Sequence, residues 1–204
     1  ALYQPGDAEM DHLANILASS KVSRLYKTLV YELKIAHDVE AFQWSKEIGS
    51  TFHIVVTAKE NSSLDEIEKI VDKEINKILK LGVSQKELEQ SKIQWESRFI
   101  RGLENIGGFG GKADILNAYN IMLGNPDMFN WDLDRYMNVG IQDIKNISKK
   151  YLDMNKRAVL RILPPSTMIA AKDTIDRNIV PSPDGEITFF PPKIQREELS
   201  NGLE

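Results

Sequence analysis

The stretch "IAHDVEAFQWSKEIGSTFHIVVTAK", Ile35 to Lys59, decides the fold class. "IAHDVEAFQW" and "STFHIVVTAK" are strand-length and rich in β-branched and aromatic residues, and Gly49 in "KEIGS" supplies a turn between them. A hairpin is predicted. On both sides the spacing of apolar residues becomes helical. Upstream, Met10, Leu13, Ala14 and Leu17 recur on one face behind Asp7, which is placed to cap the first turn, and a second short helix is expected over 23–33. Downstream, "SLDE" at Ser63 and "SQKE" at Ser84 have capping-box spacing. The first opens a helix with Ile67, Val71, Ile75 and Ile78 on one face that stops at Gly82; the second carries Leu88, Trp95, Phe99 and Leu103.

Another helix is predicted from about Lys112 to Leu123, and one more around Ile144, Ile147 and Tyr151. "RAVLRIL" from Arg157 predicts a strand ended by Pro164 and Pro165. Helices and strands are thus segregated rather than alternating, which points to an α+β domain: a largely antiparallel sheet covered on one face by helices. Six of the eight prolines fall between Pro164 and Pro192, where periodicity disappears, so that region is expected to be a linker.

The 204 residues carry a net charge of −4, which argues against nucleic acid or an anionic membrane as the main partner. The absence of cysteine excludes disulfides, thiolate zinc sites and cysteine nucleophiles. No apolar run approaches the ~20 residues a membrane span requires.

"ENIGGFGGKADILNAY", Glu104 to Tyr119, tests for a phosphate loop. It fails: a helix precedes it instead of a strand, the spacing is G-x-x-G-G-K, and Ala113 stands where a magnesium-binding hydroxyl belongs. Gly107, Gly108, Gly110 and Gly111 are therefore expected to be structural, the first two ending one helix and the last two starting the next, with Phe109 at the tip either plugging the core or making an apolar contact that faces a cavity. The three histidines show no metal-ligand spacing, and no H-x-x-E-H or G-x-S-x-G is present. His12 is expected on a solvated helix face and His53 as a structural strand residue; His37 stays open.

In order along the chain, "SSKVSRLYKTLVYELKIAHDVEA", "LKLGVSQKELEQSK" and "RAVLRILPP" resemble the second, non-catalytic domain of insulinase/pitrilysin-type zinc metallopeptidases, the family of mitochondrial processing peptidase and large bacterial zinc proteases. The resemblance implies a LuxS/MPP-like metallopeptidase domain over residues 1–163. A Pro-rich linker over 164–193 and the start of a following homologous domain over 194–204, where "REELSNGLE" resembles an opening phrase, would complete the chain. It implies zinc in the parent protein, bound outside this fragment by an H-x-x-E-H and a distant glutamate, with a peptide substrate enclosed between homologous domains. No catalytic residue and no metal ligand is expected here.

In the same family an arginine and a tyrosine, spaced as in L-V-R-E-x-G-L-A-Y, orient substrate; "LVYELKIAH" puts Tyr31 and His37 at those positions, as substrate-cavity candidates by position. The resemblance also implies a periplasmic location. The alternative it leaves open is an inactive scaffold or interaction subunit related to the peptidases.

Overall fold

The Ile35–Lys59 stretch folds as the expected hairpin in a computed structural model, which describes residues 1–164. β1 (Ala36–Ser45) and β2 (Ser50–Ala58) pair antiparallel, Ala41 opposite Ile54 and Phe42 opposite His53. Alternation divides the two faces: Val39 and Ala41 are buried, and Phe52, Ile54 and Val56 pack with them against the core. Phe42, Trp44 and Val55 lie exposed on the outer face. The register slips between Ala36 and Asp38, making His37 the extra residue of a β-bulge.

Among the described residues there are seven helices, α1 (Asp7–Ala18), α2 (Arg24–Tyr26), α3 (Leu64–Leu81), α4 (Gln85–Gly102), α5 (Lys112–Leu123), α6 (Phe129–Met137) and α7 (Ile141–Tyr151), of which α1, α2 and α3 pack on the hairpin. α2 runs on as a π-helical turn, Lys27–Glu32. The Ser63 and Ser84 hydroxyls accept the N–H groups of Glu66 and Glu87, capping α3 and α4 as their sequences predict. Glu87 also accepts a two-pronged bond from Arg24 at 2.6 and 2.8 Å, and this pairing holds its carboxyl down at about 2.

α1 is the centre of the unit formed by Ala1–Arg161. It packs against β1, α2, α4, α6 and α7, and ten of its twelve residues are buried. A helix enclosed on every side has no solvated face. His12, expected in solvent, is accordingly 1% exposed. Asp7 does not cap the helix either; Glu9 accepts the Gly6 N–H at 3.0 Å instead, and the Asp7 carboxylate is used elsewhere.

Two further expectations are corrected. Residues 157–164 form no strand, because β1 and β2 are each other's only strand partner among the described residues. Arg157 and Arg161 instead pair with Asp65, Glu68 and Asp72 along α3, leaving Leu160 and Ile162 exposed. α6 was not anticipated, since "FNWDLDRYM" has no capping residue ahead of it and is short. The expected linker beyond Pro164 and the start of a following domain lie outside the described residues.

Candidate functional site

Tyr31 sits in the π-helical turn, half exposed, its ring 5.5 Å from that of Tyr26. His37 projects from the bulge at the start of β1 and is exposed. Neither makes a side-chain hydrogen bond among the described residues, so neither is held by a base, an acid or a charge.

The other histidines are committed elsewhere. His53 stacks on Phe42 with ring centroids 4.9 Å apart and contacts Thr51 Oγ1 at 2.7 Å. The His12 ring lies between Ser91 Oγ, 2.8 Å from Nδ1, and the Tyr136 carbonyl, 3.1 Å from Nε2. A carbonyl can only accept, so Nε2 carries the proton and Nδ1 accepts from the Ser91 hydroxyl. Burial pulls this imidazole down to about 4, keeping it neutral.

Zinc does not fit here. His12 has both nitrogens engaged, His37 stands alone in the bulge, and His53 lies far along the other strand. No group of three His, Asp or Glu side chains able to hold a metal occurs among the described residues.

The densest polar cluster ties the start of α1 to its surroundings. Asp7 accepts Arg135 Nη1 at 2.8 Å, Gln43 Nε2 at 2.9 Å, Ser45 Oγ at 2.5 Å and the Tyr3 N–H at 3.0 Å. Arg135 also reaches Asp132 at 2.7 Å, and Asp132 accepts the Tyr119 hydroxyl at 2.8 Å. Burial, reinforced by Asp132, pushes the Tyr3 phenol up to about 12 and Tyr119 further up. Beside them the Tyr136 hydroxyl donates to Asp11 at 2.6 Å, while burial raises the Asp11 carboxyl to about 6. Every buried side-chain polar atom among the described residues has a partner. The carboxylates are consumed in holding elements together, which is a structural use.

In the glycine loop, α4 already ends at Gly102, so Gly107 and Gly108 do not terminate it. The loop closes through backbone bonds from Lys112 N to Asn105 O and from Ala113 N to Ile106 O. Phe109 at its tip is fully exposed and does not plug the core, because the loop leaves the body of the domain. The four glycines are not equivalent. A Cβ on Gly111 would lie 2.5 Å from the Gly107 carbonyl oxygen, whereas one on Gly107 meets nothing. Gly111→Ala should therefore destabilise the domain by about 1–3 kcal/mol. Gly107→Ala should stay within about 0.5 kcal/mol. Equal urea midpoints for the two variants would refute this distinction.

Residues 3–94 match the family model of the peptidase M16 inactive domain. That match covers under half of the chain, and over those residues the chain is similar to the family's inactive domain. The fold resembles the inactive peptidase domain of a presumed zinc protease from Bordetella parapertussis (TM-score 0.69, 22% identity, 80% of this chain and 87% of that one). It also resembles a protease from Helicobacter pylori (TM-score 0.64, 18% identity, 75% of this chain and 36% of that one). A third likeness is to the periplasmic protease PqqL of Escherichia coli (TM-score 0.57, 14% identity, 72% of this chain and 16% of that one). The chain thus spans about a third of the length of the Helicobacter protein. No curated protein matches the sequence.

Proposed function

We propose that this chain is one non-catalytic domain of a longer zinc-dependent metalloendopeptidase, where it forms part of the wall of a chamber that encloses peptide. The observation that carries this is the outer face of the hairpin. Phe42, Trp44 and Val55 stand exposed there among Glu40, Thr51, His53 and Thr57, a mixed face with an exposed apolar and aromatic centre. An extended peptide offers matching apolar side chains. Tyr31 and His37, at the border of the same hairpin, serve this wall and not the scissile bond. The glycine loop serves backbone geometry. Residues 164–193 link this domain to a homologous one beginning near residue 194, and the parent resides in the periplasm, as PqqL does.

Zinc and its general-base glutamate belong to a different domain, so the 204-residue chain alone should hold no stoichiometric zinc and cleave no peptide. Elemental analysis and a peptide-cleavage assay on the parent and on this chain test the reading together. Tyr31→Phe and His37→Ala in the parent should leave kcat within a few-fold, because a wall contact contributes far less than the ~2.7–4 kcal/mol of an oriented transition-state donor. A hundredfold fall in kcat for His37→Ala, with folding intact, would make this the substrate-orienting domain. A parent with neither zinc nor peptidase activity would favour the scaffold alternative.

A further inference from the structure

The outer face of the hairpin is graded in charge along β1. Side chains two positions apart on a strand share a face, about 6.6 Å from one to the next. On β1 this sets Asp38, Glu40, Phe42 and Trp44 in one exposed row, and Lys46 follows at the turn. The facing row on β2, from Thr51 through His53 and Val55 to Thr57, holds no carboxylate, lysine or arginine. The face therefore begins with two negative charges, passes over two aromatic rings and ends on a positive one.

Neither carboxylate is used inside the domain. Asp7, Asp65, Glu68, Asp72 and Asp132 are all engaged by arginines, whereas Asp38 and Glu40 form no ion pair among the described residues. Lys21 borders the hollow at the same end of β1 and is paired with neither. Two like charges this close repel each other, and a cation arriving beside them relieves the repulsion. The neighbouring rings suit the same guest. Phe42 lies nearly flat on His53, with centroids 4.9 Å and planes 13° apart, so the two form a platform. Trp44 already holds a cation, since Lys46 Nζ lies 4.5 Å from its ring centre. A guanidinium fits the row better than an ammonium, because its plane stacks on a ring while its N–H fork meets a carboxylate. Lys46 repels a second cation at the other end of the row and attracts a carboxylate there.

We propose that this face binds an extended peptide through an arginine side chain, stacked over Phe42 with its fork at Glu40 and Asp38 adding charge behind it. The peptide runs so that a carboxylate of its own meets Lys46. The inference rests on the reading of the face as a chamber wall and gives that wall a substrate class, peptides carrying a basic residue. Asp38 and Glu40 determine specificity and take no part in the chemistry.

The test is equilibrium binding to the full-length parent protein, read by the anisotropy of an end-labelled peptide long enough to span the row, with a chelator present so that nothing is cut. Two peptides are compared, one with a single central arginine and one with citrulline, which keeps the shape and loses the charge. The arginine peptide should bind at least about tenfold tighter. The double variant Asp38→Asn, Glu40→Gln should abolish that preference and leave citrulline binding within about twofold. Both side chains are exposed and unpaired, and unchanged citrulline binding reports that the fold is intact. Lys46→Ala should not weaken the arginine peptide. Equal affinity of the two peptides for the unaltered protein, or an arginine preference that survives in the double variant, would overturn the inference and leave the chamber wall standing. Binding of neither peptide would overturn the wall itself, and this inference with it.

Discussion

Replacing Arg135 by alanine is expected to destabilise the domain by about 3–5 kcal/mol, the range for removing one partner from a buried ion pair. The guanidinium is 14% exposed and bridges two carboxylates, Asp7 at 1% and Asp132 at 9% exposure. Its removal leaves both without their cation in surroundings that offer little water. The plane of the side chain also faces the rings of Tyr3, Trp131 and Tyr136 at 4.8–5.4 Å, so alanine removes packing as well as charge. Arg135→Lys should recover only part of the loss, since an ammonium cannot reach both carboxylates with a planar fork. Urea unfolding with an unchanged m-value measures the difference. A loss below about 1 kcal/mol for Arg135→Ala would mean that water or another cation already screens Asp7 and Asp132.

That cluster was invisible in the sequence for a physical reason. Asp132 and Arg135 are neighbours one turn apart on α6, but Asp7 joins them only because α1 packs on α6, and 128 positions separate Asp7 from Arg135. Periodicity reports which face of one helix is apolar; it is silent on a helix enclosed from all sides. Met10, Leu13, Ala14 and Leu17 suggested a one-sided α1, so His12 was expected in solvent, yet the opposite side is covered by α4 and α6. Local signals fared better where local physics decides. Ser63 and Ser84 cap their helices, Gly82 ends α3 at a positive φ of 79°, and the alternation of β1 and β2 sorts their two faces. "RAVLRIL" failed because strand pattern is necessary for pairing and not sufficient. A strand needs a neighbouring edge, and Arg157 and Arg161 were drawn to the acidic flank of α3 instead.

The absence of H-x-x-E-H follows from the sequence alone. Tyr31 and His37 in "LVYELKIAH" both stand in solvent without a side-chain hydrogen bond among the described residues.

The last expectation concerns Asp11 and His12, neighbours on α1 whose ionisations oppose each other. His12 is depressed by burial to about 4 from an ordinary 6.5, so between those values the unfolded chain binds a proton that the folded one refuses. Its contribution to stability is therefore lost as pH falls from 6.5 to 4. Asp11 is raised by burial to about 6 from 3.8, against the opposing hydrogen bond from Tyr136, so the folded chain holds a proton that the unfolded one has released. Its contribution to stability is gained as pH falls from 6 to 3.8. Each shift corresponds to about 3 kcal/mol, and between pH 4 and 6 the two cancel. Asp11→Asn should unmask His12, whose ring also faces Lys92 and Arg98, and the variant should lose up to about 3 kcal/mol relative to wild type between pH 6.5 and 4. His12→Gln should unmask Asp11, which also feels Asp7, Arg98 and Arg135, and gain a similar amount relative to wild type on the same acidification. Taking differences from wild type at pH 7, 6, 5 and 4 removes the shared titration of surface groups. Two variants whose urea midpoints both run parallel to wild type across that range would show that neither group titrates in the window its burial imposes.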